Sequence, residues 1–107
     1  MSLYVSSEIE NIVNMQTANN QKEAVNNVIE ININDKMCNV HYASKHLTIR
    51  STYNLSEICI DNRTLKFAKP LTFKFKSFKK YDDKYIVILS IEAKLFWENL
   101  KDEEHNN

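Results

Sequence analysis

Cys38, His41, His46 and Cys59 are the side chains of this 107-residue chain whose chemistry first suggests holding a metal ion or attacking a substrate. On paper they make a zinc set. On a strand, however, Cys38 and His41 lie three positions apart and point to opposite faces, and the short ligand spacings of structural zinc sites are absent. A thiol nucleophile needs a cysteine with a histidine in reach, but Cys38 continues a row of inward apolar positions, where cysteine behaves as a small hydrophobe. The adjacent carboxylates Asp82 and Asp83 resemble an acid/base pair only in composition, because neighbouring acids between two apolar runs are turn-formers. No catalytic residue, metal or cofactor is expected, and the expected protein is not an enzyme.

Charge is the pattern that stands out. The chain carries 14 basic and 14 acidic residues and is neutral overall. Yet Arg63, Lys66, Lys69, Lys74, Lys76, Lys79 and Lys80 occupy residues 63–81 without a single acid. Phe67, Phe73, Phe75, Phe78 and Tyr81 are interleaved with them. Cations for phosphates and rings for bases are what a single-stranded nucleic-acid groove uses. The alternation argues for another arrangement, in which Phe73 and Phe75 enter the core and Lys74 and Lys76 face water. Such lysines either guard a sheet edge or meet an acidic protein surface. Phe78 and Tyr81 lie beyond the regular alternation and are expected to be exposed. A second aromatic cluster, Leu95-Phe96-Trp97, either closes the core or forms an interface through Phe96 and Trp97, for instance in a homodimer.

Composition excludes more than it supplies. There is no glycine, and the one proline is Pro70. Phosphate-cradling loops, dinucleotide fingerprints and nucleophile elbows need glycine for positive φ and close backbone approach. The abundance of Asn, Ile, Lys, Tyr and Phe is that of an AT-rich genome: a low-GC bacterium, a virus or phage, or a protist. Two cysteines without CxxC spacing, and no secretory or membrane-spanning segment, place the expected chain in the bacterial or host-cell cytoplasm.

The elements that must position these residues follow from periodicity. Ser7-Glu8-Ile9-Glu10 reads as a capping box, and apolar residues at helical spacing predict an N-terminal helix over about 7–27, interrupted at Asn19-Asn20. From Val28 the period becomes two. Strands are expected through Ile29–Ile33, Cys38–Tyr42, Leu47–Tyr53, Ile58–Ile60, Leu65–Phe67 and Leu71–Phe75, with turns at Asn34-Asp35-Lys36, Asp61-Asn62 and Tyr81–Lys84. The run Tyr85–Ile91 is apolar on both faces and predicts a central strand whose second face is covered by the N-terminal helix or by a partner. The segment Asp82–Ile91 resembles a sheet strand of the SecB-type export chaperones, without the glycines of that family's sheet, and no function is carried over from it. A short C-terminal helix and a disordered charged tail at 101–107 complete the chain.

The expected fold is α+β: an N-terminal helix, then a six- to seven-strand antiparallel meander or partly closed barrel, in one domain spanning residues 1–100. The expected function is that of a small interaction protein that binds a macromolecule, a protein with an acidic surface, in the manner of a phage or mobile-element inhibitor. The alternative is a single-stranded nucleic-acid-binding domain that uses residues 63–81.

Overall fold

Three tight turns made without glycine set the chain's course. The computed structural model describes residues 22–101. Asp35 and Lys36 (φ 55° and 67°), and Asp61 and Asn62 (φ 51° and 62°), occupy left-handed backbone at the tips of two hairpins. Two consecutive residues of positive φ give the turn whose twist matches that of the flanking strands. Asp82 (φ 48°) opens the third turn. Asp and Asn populate this region because their short polar side chains bond locally.

Among the described residues these turns join six strands and one helix: β1 (Lys22–Asn34), β2 (Met37–Ser44), β3 (Thr52–Ile60), β4 (Arg63–Tyr81), β5 (Lys84–Glu92), α1 (Ala93–Asn99) and β6 (Leu100–Lys101). The sheet order is β3-β1-β2-β5-β4-β6, and β3 also pairs with β4, so the sheet closes on itself. Closure depends on the 19 residues of β4. Its first half runs antiparallel to β3, from Ile60↔Arg63 to Thr52↔Lys74, and its second half to β5, from Lys74↔Ser90 to Tyr81↔Lys84. One strand serving two neighbours in succession is how a strongly tilted barrel closes with few strands. Pro70 lies where the β3–β4 register jumps between Leu55↔Leu71 and Glu57↔Lys66. A proline cannot donate to a ladder and is tolerated at such a bend.

Two expectations are corrected. The first is the α+β class with an N-terminal helix. Residues 22–27 belong to β1, the described chain is mostly β, and the remainder of the expected helix, residues 7–21, lies outside the described residues. Val25 and Val28 are both buried because the ladder with β3 slips between them, where Asn27 has φ 59°. A bulge inside a strand thereby imitates the three-residue spacing of a helix. The second is the antiparallel meander. β3 runs parallel to β1, Val25 opposite Ile58, so the sheet is mixed. The expected strand start at Leu47 is instead a connection, residues 45–51, that carries the chain from β2 to the far side of β1. Tyr53 pins it: its hydroxyl donates to the Thr48 carbonyl at 2.9 Å and accepts from the Arg50 amide at 3.2 Å. Ile49, within this connection, is fully buried.

The core fills the barrel. Val40, Leu55, Ile58, Phe73, Val87 and Leu89 are completely or almost completely buried, and Phe96 of α1 plugs one end with its ring edge-on to Phe67 at 5.5 Å. β5 is flanked by β2 and β4 on both edges. Its Val87, Leu89 and Ile91 face inward, while Ile86, Ile88 and Ser90 are half-buried on the outside. Among the described residues no second layer covers this face. Leu100 and Lys101 add β6 beside Phe67 and Lys66, so the last described residue, at the start of the expected tail, is strand. No helix among the described residues is long and apolar enough to cross a membrane.

Candidate functional site

β4 presents the charge block as a row. Phe67, Leu71 and Phe73 are buried inside, while Arg63, Lys66, Lys69, Lys74, Lys76, Lys79 and Lys80 are exposed, the register breaks near Pro70 and at Lys76 interrupting strict alternation. Among the described residues none of Lys69, Lys74, Lys76 and Lys79 is in an ion pair. Lys80 holds its ammonium 5.8 Å from the centre of the Tyr85 ring, a cation–π contact. Residues two apart on a strand are about 7 Å apart, so unit charges there repel by roughly 0.6 kcal/mol in water before salt screens them. The row is held together by the covalent strand and the core beneath it.

The rings follow a different rule from the lysines. The ladder with β5 slips between Phe75 and Ser77, which places Lys76 in a bulge and changes the phase of the strand. Phe78 therefore faces inward with Phe73 and Phe75, half-buried, its ring edge-on to Tyr85 at 6.0 Å. Of the aromatic residues in the block, Tyr81 alone is well exposed, at 51%. The stacking platform that interleaved rings suggest in the sequence is turned into the core.

Beside the row lies a polar network that the motif reading missed. Asn39 is only 3% exposed although it lies on the outer side of β2. Its amide nitrogen donates to Asn32 Oδ1 at 3.1 Å, and its carbonyl oxygen accepts a long bond from Lys76 at 3.5 Å. Asn32 Nδ2 donates in turn to Glu30 Oε2 at 3.1 Å and meets His41 Nε2 at 3.2 Å, a geometry that suits the ring tautomer carrying its proton on Nδ1. A buried amide with its partners satisfied is rigid, so the network anchors one lysine of the row. Its signal in the sequence was the polar alternation of Glu30/Asn32 and Asn39/His41 on neighbouring strands.

No family model, no curated protein and no solved structure matches this chain. The site must be read from its own chemistry.

The other candidates separate in space. Cys38 lies inside the barrel and His41 on its outer side, and burial pushes the Cys38 thiol up to about 11. Cys59 contacts the Thr64 hydroxyl at 3.3 Å on the wall of an open groove of about 800 Å³. That groove runs from the β1 bulge at Asn26-Asn27 past Ser44 to the Asp61-Asn62 turn. Among the described residues no three His, Cys, Asp or Glu side chains converge on a common point. Of the expected interface pair, Phe96 is buried in the core, whereas Trp97 is 57% exposed and Leu95 partly so.

Proposed function

We propose that the protein binds an acidic polypeptide along the lysine row of β4. The observation that carries this reading is the exposure, on one strand, of Lys69, Lys74, Lys76 and Lys79 without a carboxylate partner among the described residues. A partner's carboxylates would relieve the repulsion within the row and speed encounter by steering. Single-stranded nucleic acid is the weaker reading. The rings that would stack on bases are packed inward, which leaves phosphate contacts without a base platform.

The test uses two simple polyanions, poly-glutamate and an oligo-thymidine strand, titrated into the full chain at low and moderate salt. Poly-glutamate should bind and weaken as salt rises. The double variant Lys74→Glu/Lys79→Glu should lose at least tenfold in affinity, while Lys45→Glu/Lys94→Glu, with the same charge change away from the row, should lose much less. Tighter binding of oligo-thymidine than of poly-glutamate, or equal losses in the two variants, would overturn the reading.

A further inference from the structure

Among the described residues, one stretch of the basic strand has a neighbour on one side only. On one side β4 pairs with β5 along its whole second half, ending at Tyr81↔Lys84. On the other side its ladder with β3 stops at Thr52↔Lys74, and one further bond follows, from the Phe75 amide to the Ser51 carbonyl at 3.2 Å. Beyond Phe75, among the described residues, no backbone hydrogen bond reaches this edge. The strand nevertheless continues to Tyr81, a length close to that of an average strand.

The hairpin shows which groups are left over. Across a two-residue turn, the residues flanking it exchange both hydrogen bonds, and alternate pairs do so thereafter. With Tyr81 opposite Lys84 and an unbroken register back to Ser77↔Ile88, the residues Tyr81, Lys79 and Ser77 bond to β5. Phe78 and Lys80 therefore direct their N–H and C=O groups to the open edge. Lys76, Lys79 and Lys80 are exposed along this stretch. Lysines on an edge repel a basic strand and disfavour a neutral one, which would desolvate them without supplying a counter-charge. They favour an acidic one.

We infer that an acidic, extended segment of the partner adds to the barrel as a strand beside Lys76–Tyr81, its main chain bonding to Phe78 and Lys80 and its carboxylates meeting the lysines. This deepens the proposed function and rests on it. Main-chain pairing supplies the docking geometry in strand addition, and side chains supply selectivity.

A blocked Glu-Thr-Glu-Thr-Glu-Thr-Glu peptide is the probe, compared with a version N-methylated at alternate residues, which keeps the charge and removes the donors. Both frames of N-methylation are made, so that one of them faces the barrel. Binding of the unmodified peptide should slow hydrogen exchange of the Phe78 and Lys80 amides at least tenfold and leave Ser77, Lys79 and Tyr81, already bonded to β5, nearly unchanged. One methylated frame should lose most of the affinity. If the peptide binds in a salt-sensitive way, yet both methylated frames bind equally well and the two amides stay fast, strand addition is overturned while the acidic-partner reading stands. If the unmodified peptide and poly-glutamate both fail to bind at low salt, both ideas are lost.

Discussion

Cys38 shows how position within a strand decides the fate of a reactive group. Its thiol is enclosed by the barrel, where the charged thiolate is poorly solvated, and its pKa rises from 9.0 to about 11. Between those values the unfolded chain gives up a proton that the folded chain retains. Stability is therefore fully present below about pH 9 and falls as pH climbs through about 11, by up to roughly 3 kcal/mol. Burial raises the Tyr42 and Tyr53 phenols as well, which steepens the loss at the upper end. Urea melts between pH 8 and 10 should show this decline, and Cys38→Val should flatten its first part. An identical slope in the variant would remove Cys38 as its source. The sequence already suggested the buried role, because Cys38, Val40 and Tyr42 share one face. The inward turn of Phe78 was not legible, because it depends on the bulge at Lys76 and no local pattern announces that bulge.

At the scale of elements, α1 is a stopper. It has only 7 residues, and its first residue is tied to the β1–β2 turn by a bond from the Ala93 amide to the Lys36 carbonyl at 2.9 Å. A helix this short has little stability of its own; Phe96, packed on Phe67, holds it in place. Phe96→Ala should cost about 3–5 kcal/mol through lost burial and the cavity left behind. Trp97→Ala, on the exposed side, should cost less than about 1.5 kcal/mol in chemical denaturation at low protein concentration. A large loss from Trp97→Ala that grows with concentration would mean that a second copy covers it. The C-terminal helix was readable from its apolar cluster, and so were the strands on either side of the three turns. The expected N-terminal helix failed over residues 22–27 for a definable reason: Val25 and Val28 keep helical spacing only because two asparagines between them fall out of the ladder.

For the whole molecule, neutrality hides segregation. Seven cations lie on one strand of a chain whose charges cancel, and their mutual repulsion acts within a Debye length of about 8 Å at physiological salt. Reversing two of them should therefore not weaken the fold. Lys74→Glu/Lys79→Glu should match or exceed the wild type in stability at low salt, by up to about 1 kcal/mol, and the gap should close near 0.5 M salt. A variant less stable by more than 1 kcal/mol under both conditions would mean that the row serves the fold and not a partner. Together with the binding tests, this separates a surface kept for structure from one kept for recognition.

By itself the sequence determined where the chain alternates, where it turns and which strand carries the cations. These depend on neighbours a few positions apart: a period of two for a half-buried strand, and Asp and Asn for turns without glycine. Tertiary structure alone decided that β3 would run parallel to β1, that β4 would be shared between β3 and β5, and that bulges at Asn26-Asn27 and Lys76 would shift the phase of their strands. Those choices rest on contacts between distant residues and on closing a barrel with strongly tilted strands. The same closure exposes the proposed docking edge, because the tilt that carries β4 past the end of β3 leaves Phe78 and Lys80, among the described residues, without a strand on that side.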